Sequence, residues 1–178
     1  MTSAVSPPQI AGIVLAGGES RRMGTDKAGI EYLGQTFLER AQALLRDVGC
    51  DPVRVSGRPG LACGIEDSQP GQGPAQAVLD SMRVIPKACA GALFIPVDMP
   101  LLTADDLEPL LAGQHASAWR DHPLPVFIPA TSLLPSREGV RSVKYLLSCL
   151  DMHWFDLPQN RHPRFRNFNT EADLRTLE

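Results

Sequence analysis

The stretch Ile10-Ala-Gly-Ile-Val-Leu-Ala-Gly-Gly-Glu-Ser-Arg-Arg-Met-Gly-Thr-Asp-Lys27 decides how the rest of the chain is read. Its first six residues form an apolar run, expected to be the first strand, which passes straight into a glycine-rich basic loop. Gly17 and Gly18 let the backbone come close to a phosphate, and Arg21, Arg22 and Lys27 supply positive charge around it. A strand that ends in such a loop suits a nucleoside triphosphate. Spacing excludes the better-known phosphate loops. Gly24 is followed by Thr25 and Asp26 rather than by Lys and Ser or Thr, and the dinucleotide pattern of three spaced glycines is absent. At the level of residues alone, a polar connection with merely solvated cations remains the alternative.

Outward from this stretch, apolar runs alternate with helical patterns, as in an α/β domain with a largely parallel sheet. Residues 36 to 48 place Phe37, Leu38, Ala41, Leu44, Leu45 and Val48 at helical spacing, and Gly49 stands where a helix-ending glycine belongs. Residues 52 to 56 read as a short strand, and 57 to 73, rich in glycine, as one long loop. A helix is expected over 75 to 85, and a buried strand over 92 to 97. Thr103 opens a helix through Leu111, with Asp106 three positions on as a capping partner. Residues 125 to 129 read as a strand that its prolines should keep short or near an edge. A helix over 140 to 150, a short strand over 154 to 157 and a last helix over 170 to 177 complete the pattern. Residues 1 to 9 read as a flexible arm and 10 to 178 as one domain.

Candidate functional residues follow from placement. Asp98 falls just beyond the carboxyl end of a strand, where open α/β sheets bind ligands, and its carboxylate suits a hard divalent cation bridging phosphate oxygens. A turn aspartate is the other reading of Asp-Met-Pro. Gly73 with Pro74 suits a helix start, proline being favoured at the first helical position. Asn169 or Thr170 can cap the last helix, with Asp173 closing a capping box. The linker 158 to 166, with three arginines and a histidine, either lines a substrate or meets solvent.

Leu15-Ala-Gly-Gly18, Arg22-Met-Gly24 and Asp26-Lys27 resemble the signature of the nucleotidyltransferases, and within them the molybdenum cofactor guanylyltransferase family. Gly73-Pro74 after Glu66-Asp67-Ser68, Phe94-Ile-Pro-Val-Asp-Met-Pro100 and Phe168-Asn-Thr-Glu-Ala-Asp-Leu174 match further family segments in order. The resemblance spans nearly the whole chain. It implies a three-layer α/β domain with a mostly parallel central sheet, the Rossmann-like nucleotidyltransferase fold. It also implies GMP transfer from GTP to molybdopterin, with Mg2+ as cofactor and molybdenum cofactor-handling proteins as possible partners. On this reading Arg22, Lys27 and Asp98 are catalytic, and Asp98 holds the metal. Leu15, Ala16, Gly17, Gly18, Lys27, Asp67, Gly73 and Asp98 bind the nucleotide, while Asn167 and Asn169 face the second substrate. Two segments depart from the family pattern: Ala75-Gln76-Ala77 replaces Leu-Ala-Gly, and Ser56-Gly57-Arg58 stands where an asparagine often lies near the base. The first change loses a glycine that would allow close approach at that helix start, and a larger side chain in its place is expected to narrow or retune the pocket, so base specificity is the property these departures touch. A related enzyme using CTP or another acceptor phosphate is the alternative, as is a catalytically idle nucleotide-binding adaptor.

Composition fits a globular enzyme: 178 residues, 43% hydrophobic and 21% charged, with a net charge of −3 that offers nucleic acid or an anionic membrane no global attraction. No run approaches the length of a membrane span and the first residues lack a signal-like core, so a cytoplasmic protein is expected. Cys50, Cys63, Cys89 and Cys149 show no zinc-like spacing and read as buried or incidental thiols. The four histidines show no mutual spacing that suggests a metal.

Overall fold

The computed structural model describes residues 9–17, 26–68, 71–169 and 171–177. The elements run β1 (Gln9–Leu15), a small hairpin β2 (Glu31–Tyr32) and β3 (Gln35–Thr36), α1 (Phe37–Asp47), β4 (Val53–Ser56), β5 (Gly64–Ile65) and α2 (Pro74–Val84). They continue with β6 (Cys89–Pro96), α3 (Ala104–Leu111), β7 (Ala116–Trp119), β8 (His122–Pro129), α4 (Val143–Ser148), β9 (Met152–Phe155) and α5 (Glu171–Leu174). Two 3-10 segments, Lys27–Gly29 and Gln159–Phe165, flank the site described below. Gln9, expected in the N-terminal arm, belongs to β1 and pairs with Cys89. Residues 1 to 8 lie outside the described residues.

The larger sheet has seven strands in the order β5-β4-β1-β6-β8-β7-β9, and only β8 runs against the others. The expected three-layer, mostly parallel architecture is what forms. β1 sits inside the parallel half, and its alternate residues face two separate cores. Ala11, Ile13 and Leu15 pack with Ala75, Val78 and Leu79 of α2 and Leu146 and Leu147 of α4. Val14 packs with Phe37, Ala41 and Leu45 of α1 and Leu107 and Leu110 of α3. Both faces are covered, which is why this strand carries no polar side chain from Ile10 to Leu15. Gly12 leaves room for α1, since a Cβ there would stand 2.9 Å from the Cys50 Cβ and 3.0 Å from that of Leu45.

Local signals set several ends. Thr36 accepts the Glu39 N–H at 3.1 Å while the Glu39 carboxylate accepts the Thr36 N–H at 2.8 Å, a reciprocal box that opens α1. Gly49 follows α1 at φ 85°. Asp106 accepts the Thr103 N–H at 3.0 Å, as its spacing leads one to expect.

Four further expectations are corrected. The long loop after β4 contains β5, which pairs with Val55 and Ser56. The strand at 125 to 129 extends from His122 to Pro129 and lies inside the sheet between β6 and β7. Its prolines are tolerated because Pro129 ends the strand, while Pro123 and Pro125 fall where the β7 register shifts between Ala118 and Trp119. The helix expected over 140 to 150 is confined to Val143–Ser148, opened by Ser142, whose hydroxyl accepts the Tyr145 N–H at 3.1 Å. The final helix is a short α5 followed by a 3-10 turn at Arg175–Leu177. All four cysteines are free, and burial pushes the Cys50 thiol up to about 12. Among the described residues no helix is long and apolar enough to cross a membrane.

Candidate active site

Parallel strands β1 and β6 end side by side: the Val97 N–H donates to the Leu15 carbonyl at 3.2 Å, and the Ala16 N–H donates to the Ser56 carbonyl at 3.2 Å at the end of β4. The backbone that follows each strand must therefore leave the sheet at one shared edge. A cavity opens there, walled by Leu15, Ala16, Gly17, Lys27, Asp98 and Asn167, with Pro74 at the start of α2 closing one side. Chain segments as far apart as Gly17 and Asn167 thus share one wall.

Lys27 joins three of them. Its Nζ lies 3.3 Å from Oδ2 of Asp98 and donates a short hydrogen bond to Oδ1 of Asn169. About a fifth of each charged side chain in the Lys27–Asp98 pair is exposed, so the pair is shielded yet reachable from the cavity. Asp98 is also held through its backbone, its carbonyl accepting the Phe168 N–H at 2.8 Å. Phe168 is buried against Phe37, ring edge to face at 6.4 Å, which anchors the segment carrying both asparagines. The Asn169 N–H donates to Asp173 at 3.0 Å, while Thr170, the other expected cap of the last helix, lies outside the described residues. The Asn169 side chain turns the other way, to Lys27.

Asp67 reaches the same region from the far side of β4. Its Oδ1 accepts the Ser56 hydroxyl at 2.9 Å, and its Oδ2 would stand 2.7 Å from a Cβ on Gly17. Gly57 has φ 80°, and a Cβ there would fall 2.3 Å from the Gly17 Cα. Two glycine backbones in contact, with a carboxylate beside them, leave no space for a side chain at either position. Gly73 has φ 87° before Pro74 and starts α2 as expected, but Pro74 rather than Gly73 lines the cavity. Gly18, Arg21 and Arg22 lie outside the described residues.

Ala77, which takes the place of the family's glycine, is buried in the core with Leu146 and Leu147 of α4 rather than in the cavity wall, and Gln76 beside it points elsewhere. Its amide donates to the carbonyls of Arg137 at 3.0 Å and Val140 at 2.8 Å and accepts from Arg137 Nε at 3.1 Å. Asp80, one turn further along α2, holds Arg137 through two contacts of 2.9 Å and also accepts the Ser68 N–H at 3.0 Å. This side of α2 fastens two loops and leaves the cavity to Pro74.

Two residues to which the sequence assigned no task brace the site. Arg58 grips both carboxylate oxygens of Asp26, one at 2.6 Å, and Asp26 in turn caps the turn that carries Lys27 by accepting the Ala28 N–H at 3.2 Å. The Arg58 hydrogen bonds hold the Asp26 carboxyl below its ordinary range. The available signal was the place of Arg58 straight after Gly57 at a strand end. Its partner, 32 positions away, was not legible. The linker arginines have a destination as well: Arg164 Nη1 donates to the Thr103 hydroxyl at 2.9 Å and lies 3.4 Å from Asp106, while Arg161 Nη1 donates to the Asp105 carbonyl at 2.8 Å. These two bind the start of α3 rather than standing free in solvent, and Arg166 lies over the Phe168 ring at 5.5 Å.

Among the described residues no cluster of three or more His, Cys, Asp or Glu side chains gathers to enclose a metal ion. The Asp98 carboxylate in the cavity wall is a hard oxygen donor, and a cation that takes most of its ligands from phosphates needs no protein cage. The residues present fit such an ion.

Residues 12–148 match the family model described as the MobA-like NTP transferase domain. A molybdenum cofactor guanylyltransferase of Xanthomonas euvesicatoria pv. vesicatoria is 37% identical over 169 residues, which cover 89% of each chain. The fold is similar to that of molybdopterin-guanine dinucleotide biosynthesis protein A from Archaeoglobus fulgidus, with a TM-score of 0.71 at 20% identity over 95% of this chain and 97% of that one. It is also similar to a Mycobacterium tuberculosis protein solved in complex with manganese, with a TM-score of 0.66 at 18% identity over 97% and 98% of the two chains.

Proposed function

The chain belongs to the MobA-like NTP transferase domain family, a family of nucleotidyltransferases, and on that premise we propose that it transfers GMP from GTP to molybdopterin. The products are molybdopterin guanine dinucleotide and pyrophosphate. The observation that carries this reading is Lys27, held between Asp98 and Asn169 at the shared end of β1 and β6. One cation there can meet the nucleotide's phosphates while touching the segment that carries the two asparagines.

In this reading an oxygen of the acceptor's phosphate attacks the α-phosphorus of GTP. A new P–O bond forms, the bond to the β-phosphate oxygen breaks, and pyrophosphate leaves with the electron pair. The protein's contribution is positioning and charge stabilisation. Backbone of Leu15, Ala16 and Gly17, with Gly18 and Arg22 of the following loop, cradles the triphosphate. Lys27 neutralises charge that develops on the α-phosphoryl oxygens and the leaving group. Asp67 and Gly73 shape the nucleotide side, and Asn167 and Asn169 bind the acceptor. Asp98 would hold Mg2+, which when bound polarises the phosphoryl oxygens. A protein of the same fold has been obtained with manganese, which supports a divalent ion here. The cytoplasm, where nucleoside triphosphates are made, is the compartment we assign, and proteins that handle the molybdenum cofactor are the partners.

The test is anaerobic incubation with molybdopterin, Mg2+ and each nucleoside triphosphate in turn, with dinucleotide and pyrophosphate followed by mass spectrometry. Product from GTP alone is expected. Product from CTP alone would overturn the base assignment, and tight GTP binding with no product would point to another acceptor or an idle adaptor. Lys27→Met should lower turnover by about a hundredfold or more, the scale of losing one preorganised charge donor. Asp98→Asn should abolish turnover yet leave metal-free nucleotide binding nearly intact. Wild-type turnover in Asp98→Asn would remove Asp98 from the metal site.

A further inference from the structure

We propose that Arg164, seated on Asp106 at the start of α3, is a positioning residue that sets where Asn167 and Asn169 stand at the active site. The proposal rests on the acceptor-side reading of those asparagines. Asp106 is fully buried, and its carboxylate accepts both the N–H and the hydroxyl of Thr103, at 3.0 and 2.9 Å. Its carbonyl accepts the Trp119 indole N–H at 2.8 Å. Arg164 Nη1 lies 3.4 Å from that carboxylate, bonds the Thr103 hydroxyl at 2.9 Å, and keeps 36% of its side chain exposed. Arg161 adds a second cation at 3.8 Å.

The segment these arginines hold leads to the site in a few residues. Phe165, next to Arg164, is buried with its ring 6.0 Å from Trp119 and 5.0 Å from His122. Asn167 lines the cavity, Phe168 is pinned by its N–H to the Asp98 carbonyl, and Asn169 ends on Lys27. Between the Arg164 anchor and the Asn169 side chain there are four residues, two of them buried phenylalanines. A shift of the 3-10 strap on α3 has little slack to absorb it before it reaches Asn167 and Asn169. Among the described residues Arg164 meets Thr103 and Asp106, neither of which lines the cavity, so its action on the reaction passes through the asparagines.

The measurement is steady-state kinetics of Arg164→Met, Arg164→Lys and Asn169→Ala, and of the double variant Arg164→Met with Asn169→Ala, with KM resolved for acceptor and for nucleotide. Arg164→Met should raise the acceptor KM by about tenfold, leave the nucleotide KM within about twofold, and be largely restored in Arg164→Lys, because small displacements of positioning groups have large kinetic costs. In the Asn169→Ala background Arg164→Met should cost clearly less than in the parent, because only the route through Asn167 is left. Equal cost in both backgrounds would overturn the proposal. So would a lowered melting temperature with an unchanged acceptor KM, since that describes a purely structural pair. If Asn169→Ala alone shows wild-type acceptor kinetics, the acceptor-side reading itself falls and takes the proposal with it. An impaired Asn169→Ala beside a silent Arg164→Met removes only the positioning role.

Discussion

Asp26 with Arg58 and Asp106 with Arg164 use the same two side chains, and each ties down one of the two segments that meet at Lys27. Asp26 and Arg58 are open to water, with 51% and 32% of their side chains exposed, whereas Asp106 is wholly buried. Asp26 therefore trades solvent for Arg58 at little net gain, because exposed ion pairs contribute little to stability. Asp106 has given up water entirely and depends on Thr103, Arg164 and Arg161 to replace it. Loss of partners in a buried network costs far more than loss of a surface pair. The contrast separates a brace that a ligand can rearrange from one on which the fold relies.

The largest expected effect tests the buried side. Asp106→Ala removes the acceptor for the Thr103 N–H and strips two arginines of their counter-charge, and should lower the unfolding free energy by about 2–3 kcal/mol in urea denaturation. A loss below about 1 kcal/mol would make the two pairs equivalent. Arg58→Ala should change stability by less than about 1 kcal/mol. It should still raise the nucleotide KM several-fold, because the turn bearing Lys27 loses its tie to the β4–β5 loop. An unchanged nucleotide KM would show that Arg58 only decorates the surface.

The smallest expected effect is a pH dependence. Hydrogen bonds from Arg58 hold the Asp26 carboxyl below its ordinary 3.8, with the Ala28 N–H adding in the same direction. The folded state therefore binds its proton at lower pH than the unfolded chain does. The stabilisation is fully present above about 3.8 and is lost as pH falls through the lower, folded value. Denaturation midpoints followed from about pH 5 down to about pH 3 should show a shallower decline in Arg58→Ala than in the parent. Parallel curves would mean that Arg58 does not set this titration. Added salt should shrink the difference, as screening acts on exposed charges.

The first strand, the apolar spacing of α1 and the cap at Thr103 were readable because their signals lie within a few residues of one another. β7 was missed: residues 116 to 119, Ala-Ser-Ala-Trp, carry a weak apolar signal and gain their strand from β8 and β9 on either side. β8 was expected to be short or near an edge because its prolines argued against long central pairing, and no local pattern reveals that the register shift beside Trp119 accommodates them. The chain marked Lys27, Asp98 and Asn169 separately. Nothing in it indicated that one ammonium group meets the other two side chains across 71 and 142 positions.

By itself, the sequence determined the α/β alternation, the starts of α1, α2 and α3 and the short roster of cations, carboxylates and amides beyond strand ends. Each of these depends on backbone sterics, hydrophobic periodicity or hydrogen bonds within about one helical turn. Only the tertiary structure decided that Arg58 serves Asp26, that Arg164 serves Asp106, that Gln76 turns to the loop at Arg137 and that Gly57 must lie against Gly17. Those outcomes depend on which surfaces the sheet brings within a few ångströms, and charge pairing and close packing depend on that distance rather than on separation along the chain.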